Sequence, residues 1–142
     1  MSPDLPPARR SLPFALMRAR EKVMAPIRDM LAASGITEQQ WRVLRVLSEN
    51  GAMDASKLAD QACLLLPSLT RIAQNMVAAG LITRATDSSD RRRLVLEITA
   101  AGQAILDDNR DEATRIAQRF ADVLGRERLD DLLDALARLD DL

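Results

Sequence analysis

Residues 67–98 read PSLTRIAQNMVAAGLITRATDSSDRRRLVLEI, and two periodicities follow one another within them. Over 67–79 the apolar residues Leu69, Ile72, Ala73 and Met76 recur at three- and four-residue steps, the spacing of one helix face. Pro67 falls where a first helical turn accepts it, and Gly80 is a stop. From Leu81 the period shortens. Residues 81–86 and 94–98 are short and rich in β-branched side chains, and the polar stretch 87–93 separates them. The spacing predicts a helix followed by a two-stranded hairpin with a charged tip. The helix turns Ser68, Thr70, Arg71, Gln74 and Asn75 away from its apolar side. Arg can pair with guanine O6 and N7, Gln or Asn with adenine N6 and N7, and Ser or Thr with phosphate or base. Arg84 lies on the hairpin, and its tip gathers Arg91, Arg92 and Arg93, with Asp90 expected to hold one guanidinium through a bidentate pair. Taken alone, a polar helix face and an arginine-rich loop read as solvated surface; it is the loop following directly on a helix-turn-helix that favours DNA.

Upstream, Asp54 is placed to cap a short helix carrying Leu58, Ala59 and Ala62. Thr37, followed by Glu38, Gln39 and Gln40, reads as the cap of a helix through Trp41, Leu44 and Leu47 that stops at Asn50-Gly51. A Pro-rich lead (Pro3, Pro6, Pro7) precedes a helix over about residues 12–33, in which Pro26 is placed to introduce a bend. Downstream, Thr99 starts a helix with Ile105, Ile116, Phe120 and Val123 on one side, and Gly125 separates it from a last helix carrying Leu129, Leu132, Leu133, Leu136 and Leu139. Short helix, turn, second helix and arginine-rich hairpin is the order of a winged helix-turn-helix, whose second helix enters the major groove while the hairpin reaches the minor groove. The expected fold is therefore mainly α with a small β-hairpin wing, forming one domain over 1–142. Residues 37–100 would make a nucleic-acid-binding lobe, and 11–34 and 101–142 dimerisation helices.

Composition supports a folded domain: 142 residues, 47% hydrophobic and 29% charged. There is no His and only one Cys, so imidazole bases and ligands, an internal disulfide and a thiolate zinc cage are excluded. The carboxylates are scattered, and nothing resembles an activated nucleophile or a phosphate-cradling glycine loop. We expect no enzyme, metal or cofactor. No apolar run approaches the roughly 18 residues of a membrane span, and no signal-peptide pattern opens the chain, which predicts a cytoplasmic protein. The net charge of -1 hides a division: residues 1–93 carry 14 basic and 9 acidic side chains, and residues 94–142 carry 6 and 12. The first part suits a polyanion and the second does not.

The chain resembles the MarR-type winged-helix regulators over nearly its whole length. The strongest pieces are Gly80-Leu81-Ile82-Thr83-Arg84 and the run from Asp90-Arg91-Arg92-Arg93 through Leu94-Val95-Leu96-Glu97-Ile98 to Thr99-Ala100-Ala101-Gly102. Within that family it is similar to repressors of bacterial homoprotocatechuate-degradation operons, through Ala19-Arg20-Glu21, Thr37-Glu38-Gln39-Gln40-Trp41-Arg42, Met53-Asp54, Cys63 and Pro67-Ser68-Leu69-Thr70. The resemblance implies a homodimeric transcriptional regulator, usually a repressor, with a recognition helix starting near Pro67 and Arg92 as the principal wing contact. It also implies an aromatic-acid effector, for which Arg20 and Arg42 would clamp a carboxylate while Trp41 and Met24 pack on a ring. The alternative for these four is structural: ion pairs for the arginines and core packing for Trp41.

Dimerisation has its own physical reason. The C-terminal segment cannot bury both the Ile105/Ile116/Phe120 stripe and the Leu129/Leu132/Leu136/Leu139 stripe on itself. A two-fold dimer would face half-sites about 34 Å apart in a pseudo-palindromic operator on double-stranded DNA. Cys63, among Ala62, Leu64, Leu65 and Leu66, reads as buried packing and not as a redox switch. Two other readings remain open at this point: a helical protein-interaction module without DNA contact, and a redox-sensing regulator using Cys63.

Overall fold

The structure is a computed structural model and describes residues 4–142; Pro3 of the Pro-rich lead lies outside the described residues. Among the described residues six α-helices and three strands follow one another as α1 (Leu12–Ala32), α2 (Glu38–Asn50), β1 (Met53–Asp54), α3 (Ala55–Gln61), α4 (Leu66–Ala78), β2 (Ile82–Thr86), β3 (Leu94–Ile98), α5 (Ala100–Leu124) and α6 (Arg126–Ala137). Pro26 is accommodated inside α1. The chain forms two compact units, the first running through Asp108 and the second spanning Asn109–Leu142.

Local chemistry accounts for the ends of the helices. Thr37 and Gln40 form a reciprocal capping box at α2: the Gln40 N–H donates to Thr37 Oγ1 (3.1 Å), and the Thr37 N–H donates to Gln40 Oε1 (3.0 Å). Asp54 caps α3 by accepting the Lys57 N–H at 2.9 Å. α4 ends in a Schellman turn: Gly80, at φ +77°, donates to the Val77 carbonyl, and Leu81 donates to the Met76 carbonyl. Only a residue at home in left-handed backbone reverses the chain so sharply into β2.

The sheet departs from the expected hairpin. It has three antiparallel strands in the order β1-β3-β2, with Met53 opposite Leu96 and Asp54 opposite Val95. A two-residue strand is too short to show an alternation, so no pattern in the sequence announces it. β2 and β3 pair from Ile82–Ile98 to Thr86–Leu94. In the first unit Val43, Leu44 and Leu47 of α2, Leu58 of α3, Leu69 and Met76 of α4, Ile82 and Leu96 are all buried in one core cluster. Thr99 ties the start of α5 to this core, donating its hydroxyl to the Gly80 carbonyl (2.6 Å) and accepting the Gly102 N–H (3.2 Å). At Gly102 a Cβ would collide with the Leu81 carbonyl oxygen and stand 2.9 Å from Ile98 Cγ1 and 3.0 Å from Leu44 Cδ2.

In the second unit Ile116 and Ala121 of α5 are buried, whereas Val123, Leu132 and Leu133 are exposed.

Candidate nucleic-acid interface

α4 buries Leu69, Ala73 and Met76 and leaves Thr70, Arg71, Gln74 and Asn75 exposed; Ser68 is half-buried. The Thr70 hydroxyl donates to the Leu66 carbonyl at 3.0 Å, which commits its proton and leaves its lone pairs as acceptors. Arg71, Gln74 and Asn75 keep their donors along one side of the helix. Their side chains have the groups that base edges bind.

The hairpin carries the second part of the surface. Arg84 stands opposite Leu96 and shares its face of the sheet, yet it is exposed. Residues 87–93 are ordered by two aspartates. Asp87 Oδ1 accepts the Ser89 N–H (2.9 Å) and hydroxyl (2.8 Å), and these bonds hold its carboxyl below the usual range. Asp90 Oδ1 accepts the Arg92 N–H at 3.0 Å, and Arg92 Nε approaches the same oxygen at 3.4 Å. The expected bidentate pair is therefore absent. Two residues along the chain is too close for a guanidinium to fold back square onto the carboxylate, so Asp90 shapes the backbone of the turn instead. Arg92 itself is 94% exposed, and Arg91 is exposed beside it.

Arg93 is placed differently from its two neighbours. Its Nη2 lies 2.5 Å from Asp54 Oδ2, so the last residue of the tip is tied to the residue that caps α3. The bond from the Lys57 N–H and then the Arg93 guanidinium hold the Asp54 carboxyl below the usual carboxylate range; Asp54 in turn raises Arg93. The sequence identified Asp54 as a cap. Its ion pair with a residue 39 positions away could be foreseen only with β1 in place.

The four residues assigned to an effector are distributed over α1 and α2. Trp41 is buried and Met24 half-buried. Arg20 pairs with Glu38 at 3.1 Å, and Arg28, which the sequence did not single out, approaches the other Glu38 oxygen at 3.8 Å. Arg42 donates through Nη1 to the Cys63 carbonyl (3.2 Å), while its Nε is buried with no hydrogen-bond partner. The arginine that meets the Trp41 ring is Arg45, at 5.2 Å from its centroid. It lies four residues on along α2, on the same side of the helix, which is the signal that could have found it.

Cys63 is exposed, contrary to the expected burial. It occupies left-handed backbone at φ +57° in the turn between α3 and α4, where the chain reverses direction. Its apolar neighbours divide: Ala62 and Leu64 face the core, and Leu65 and Leu66 are exposed.

Among the described residues no group of His, Cys, Asp and Glu could hold a metal ion, and no helix is long and apolar enough to cross a membrane. A short helix, a turn, a polar-faced second helix and a protruding cationic hairpin define a winged-helix, DNA-binding regulator. The family model of the MarR family matches residues 36–94. The chain is 41% identical over 134 residues to the HTH-type transcriptional regulator FarR of Neisseria gonorrhoeae, covering 92% of each. It is 43% identical over 95 residues to the homoprotocatechuate degradative operon repressor of Escherichia coli, covering 67% of this chain and 64% of that one. A crystal structure of NadR in complex with 4-hydroxyphenylacetate superposes with a TM-score of 0.83 at 40% identity, over 98% of this chain and 97% of that one. The chain belongs to the MarR family and is a transcriptional regulator, not an enzyme. The interaction module without DNA contact is set aside by that membership.

Proposed function

We propose that the chain is a cytoplasmic, homodimeric repressor of an aromatic-compound catabolic operon, released from its operator by a small phenolic or aromatic acid. One observation carries the DNA-contact assignment: the exposed Arg91 and Arg92 stand at the tip of a hairpin that follows directly on the exposed Thr70, Arg71, Gln74 and Asn75 of α4. Arg71, Gln74 and Asn75 read base edges, Ser68 and Thr70 take phosphate or base contacts, and Arg84, Arg91 and Arg92 serve the flanking groove and backbone. Arg93 serves the interface by anchoring the wing to Asp54, and Asp90 by shaping the tip. Fluorescence anisotropy on the intergenic DNA next to the gene tests the assignment. Arg92→Ala is expected to weaken binding and to reduce the salt slope by about one unit. An unchanged salt slope would overturn the wing contact.

Dimerisation is supported by the apolar side chains that each chain leaves in water: Leu12, Phe14, Leu16 and Met17 on α1, Val123 at the end of α5, and Leu132 and Leu133 on α6. The operator is accordingly expected to be pseudo-palindromic. The effector reading draws on NadR and its 4-hydroxyphenylacetate, and on the buried Arg42 Nε that has no hydrogen-bond partner. An incoming carboxylate would complete that guanidinium, whereas Arg20 would first have to leave Glu38. A ligand that favours a half-site spacing mismatched to DNA lowers operator affinity by population shift.

A further inference from the structure

Three helices of the lobe begin one after another, and only one begins badly. α2 and α3 are capped by the side chains of Thr37 and Asp54, whereas α4 has Leu65 at its cap position and no side-chain cap bond. Leucine is among the poorest cap residues, because it offers no acceptor to the free N–H groups of the first turn. Leu65 is 77% exposed and the adjacent Leu66 is 45% exposed. Two neighbouring large aliphatic side chains thus stand in water at the leading end of a helix that also exposes Thr70, Arg71, Gln74 and Asn75.

The turn that presents them is firmly held. Cys63 donates its N–H to the Asp60 carbonyl, and Leu64 donates to that of Ala59 at 2.8 Å. Arg42 grips the Cys63 carbonyl, Leu64 packs on the core, and Pro67 fixes the backbone of the first turn. The two leucines are therefore preorganised, which removes much of the entropy cost of using them in binding.

We infer that Leu65 and Leu66 are apolar readers of sequence that seat against the C5-methyl groups of thymines in the operator. The inference rests on the DNA-binding reading above and names its specificity. Residues at the N-terminal end of a recognition helix reach base edges, and the thymine methyl is the apolar feature that a base edge presents in the major groove. The leucines are continuous with the polar side chains assigned to the same groove. Arg71, Gln74 and Asn75 supply hydrogen bonds, and Leu65 and Leu66 exclude water from methyl-bearing positions.

Deoxyuridine provides the test, since it lacks the methyl and keeps every hydrogen-bonding group. A duplex bound by the full chain is selected from a random-sequence pool, and each thymine is then replaced singly. Wild type is expected to lose roughly fourfold in affinity at one or two positions per half-site, the effect of burying one methyl-sized group. A Leu65→Ala, Leu66→Ala variant is expected to bind the parent duplex correspondingly more weakly and to treat thymine and uracil alike at those positions. Because both leucines are exposed, the variant should melt like wild type. If wild type binds every uracil-containing duplex as it binds the parent, or if the variant keeps the discrimination, the inference fails. A changed oligomeric state in the variant would mean that a second copy of the chain covers the leucines, and the inference fails there too. A chain that selects no duplex at all would instead overturn the DNA-binding reading.

Discussion

The lobe and the terminal helices treat their leucines in opposite ways. Leu44, Leu47, Leu58, Leu69 and Leu96 are all sealed in the lobe, each on a different helix or strand from most of the others. On α1 and α6, Leu12, Leu16, Leu132 and Leu133 remain in water at similar helical spacing. Periodicity is thus the same signal in both regions, and it answers a different question in each. In the lobe it identifies a core that one chain completes; at the ends it identifies a surface that one chain cannot complete.

The sharpest way to break this contrast is to hollow out the lobe. Leu44→Ala removes a buried side chain from the centre of the cluster and is expected to cost about 2–5 kcal/mol, measured by urea or thermal unfolding. If it cost no more than an exposed substitution, the lobe would not be the self-contained core described above. Next in size is the effect of polarity on the terminal surface. Leu132→Glu with Leu133→Glu should leave the folded lobe in place and shift the protein to monomer at micromolar concentration, read by sedimentation. DNA affinity should then fall by roughly two orders of magnitude as the second half-site is lost. A variant that stays dimeric would move the interface elsewhere.

The sequence was legible where one residue type decides a local conformation. Thr37, Asp54, Pro67 and Gly80 marked helix ends because a cap, a locked φ or a left-handed turn each demands a particular side chain. The outward face of α4 and the tip of the wing followed from the same reasoning. What escaped was tertiary. β1 is two residues long, and its place beside β3 comes from the path between α2 and α3, not from a period. Gly102 stands in a helix, where glycine is ordinarily a cost, and its reason is the Leu81 carbonyl against it. Cys63 is exposed despite its apolar neighbours in sequence, because the turn separates them in space. Arg20 and Arg42 each found a partner, Glu38 and the Cys63 carbonyl, that helical spacing alone could not name.

The smallest effect tests how the lobe is joined to its wing. Asn caps a helix about as well as Asp, so Asp54→Asn retains the bond from the Lys57 N–H and removes only the charge facing Arg93. We expect an intact fold, a looser wing and a loss of DNA affinity of roughly twofold, the scale of an exposed ion pair. The pH dependence gives the sign. Asp54 has its carboxyl depressed in the folded state, so its contribution is complete above the ordinary carboxylate range and disappears only as the pH falls through the lowered value. The stability difference between wild type and Asp54→Asn should therefore stay flat from pH 8 to about pH 5 and shrink on the acid side of about pH 4. A difference that changed between pH 6 and 8 would assign the effect to some other group, and the wing would then be held by its backbone turn alone.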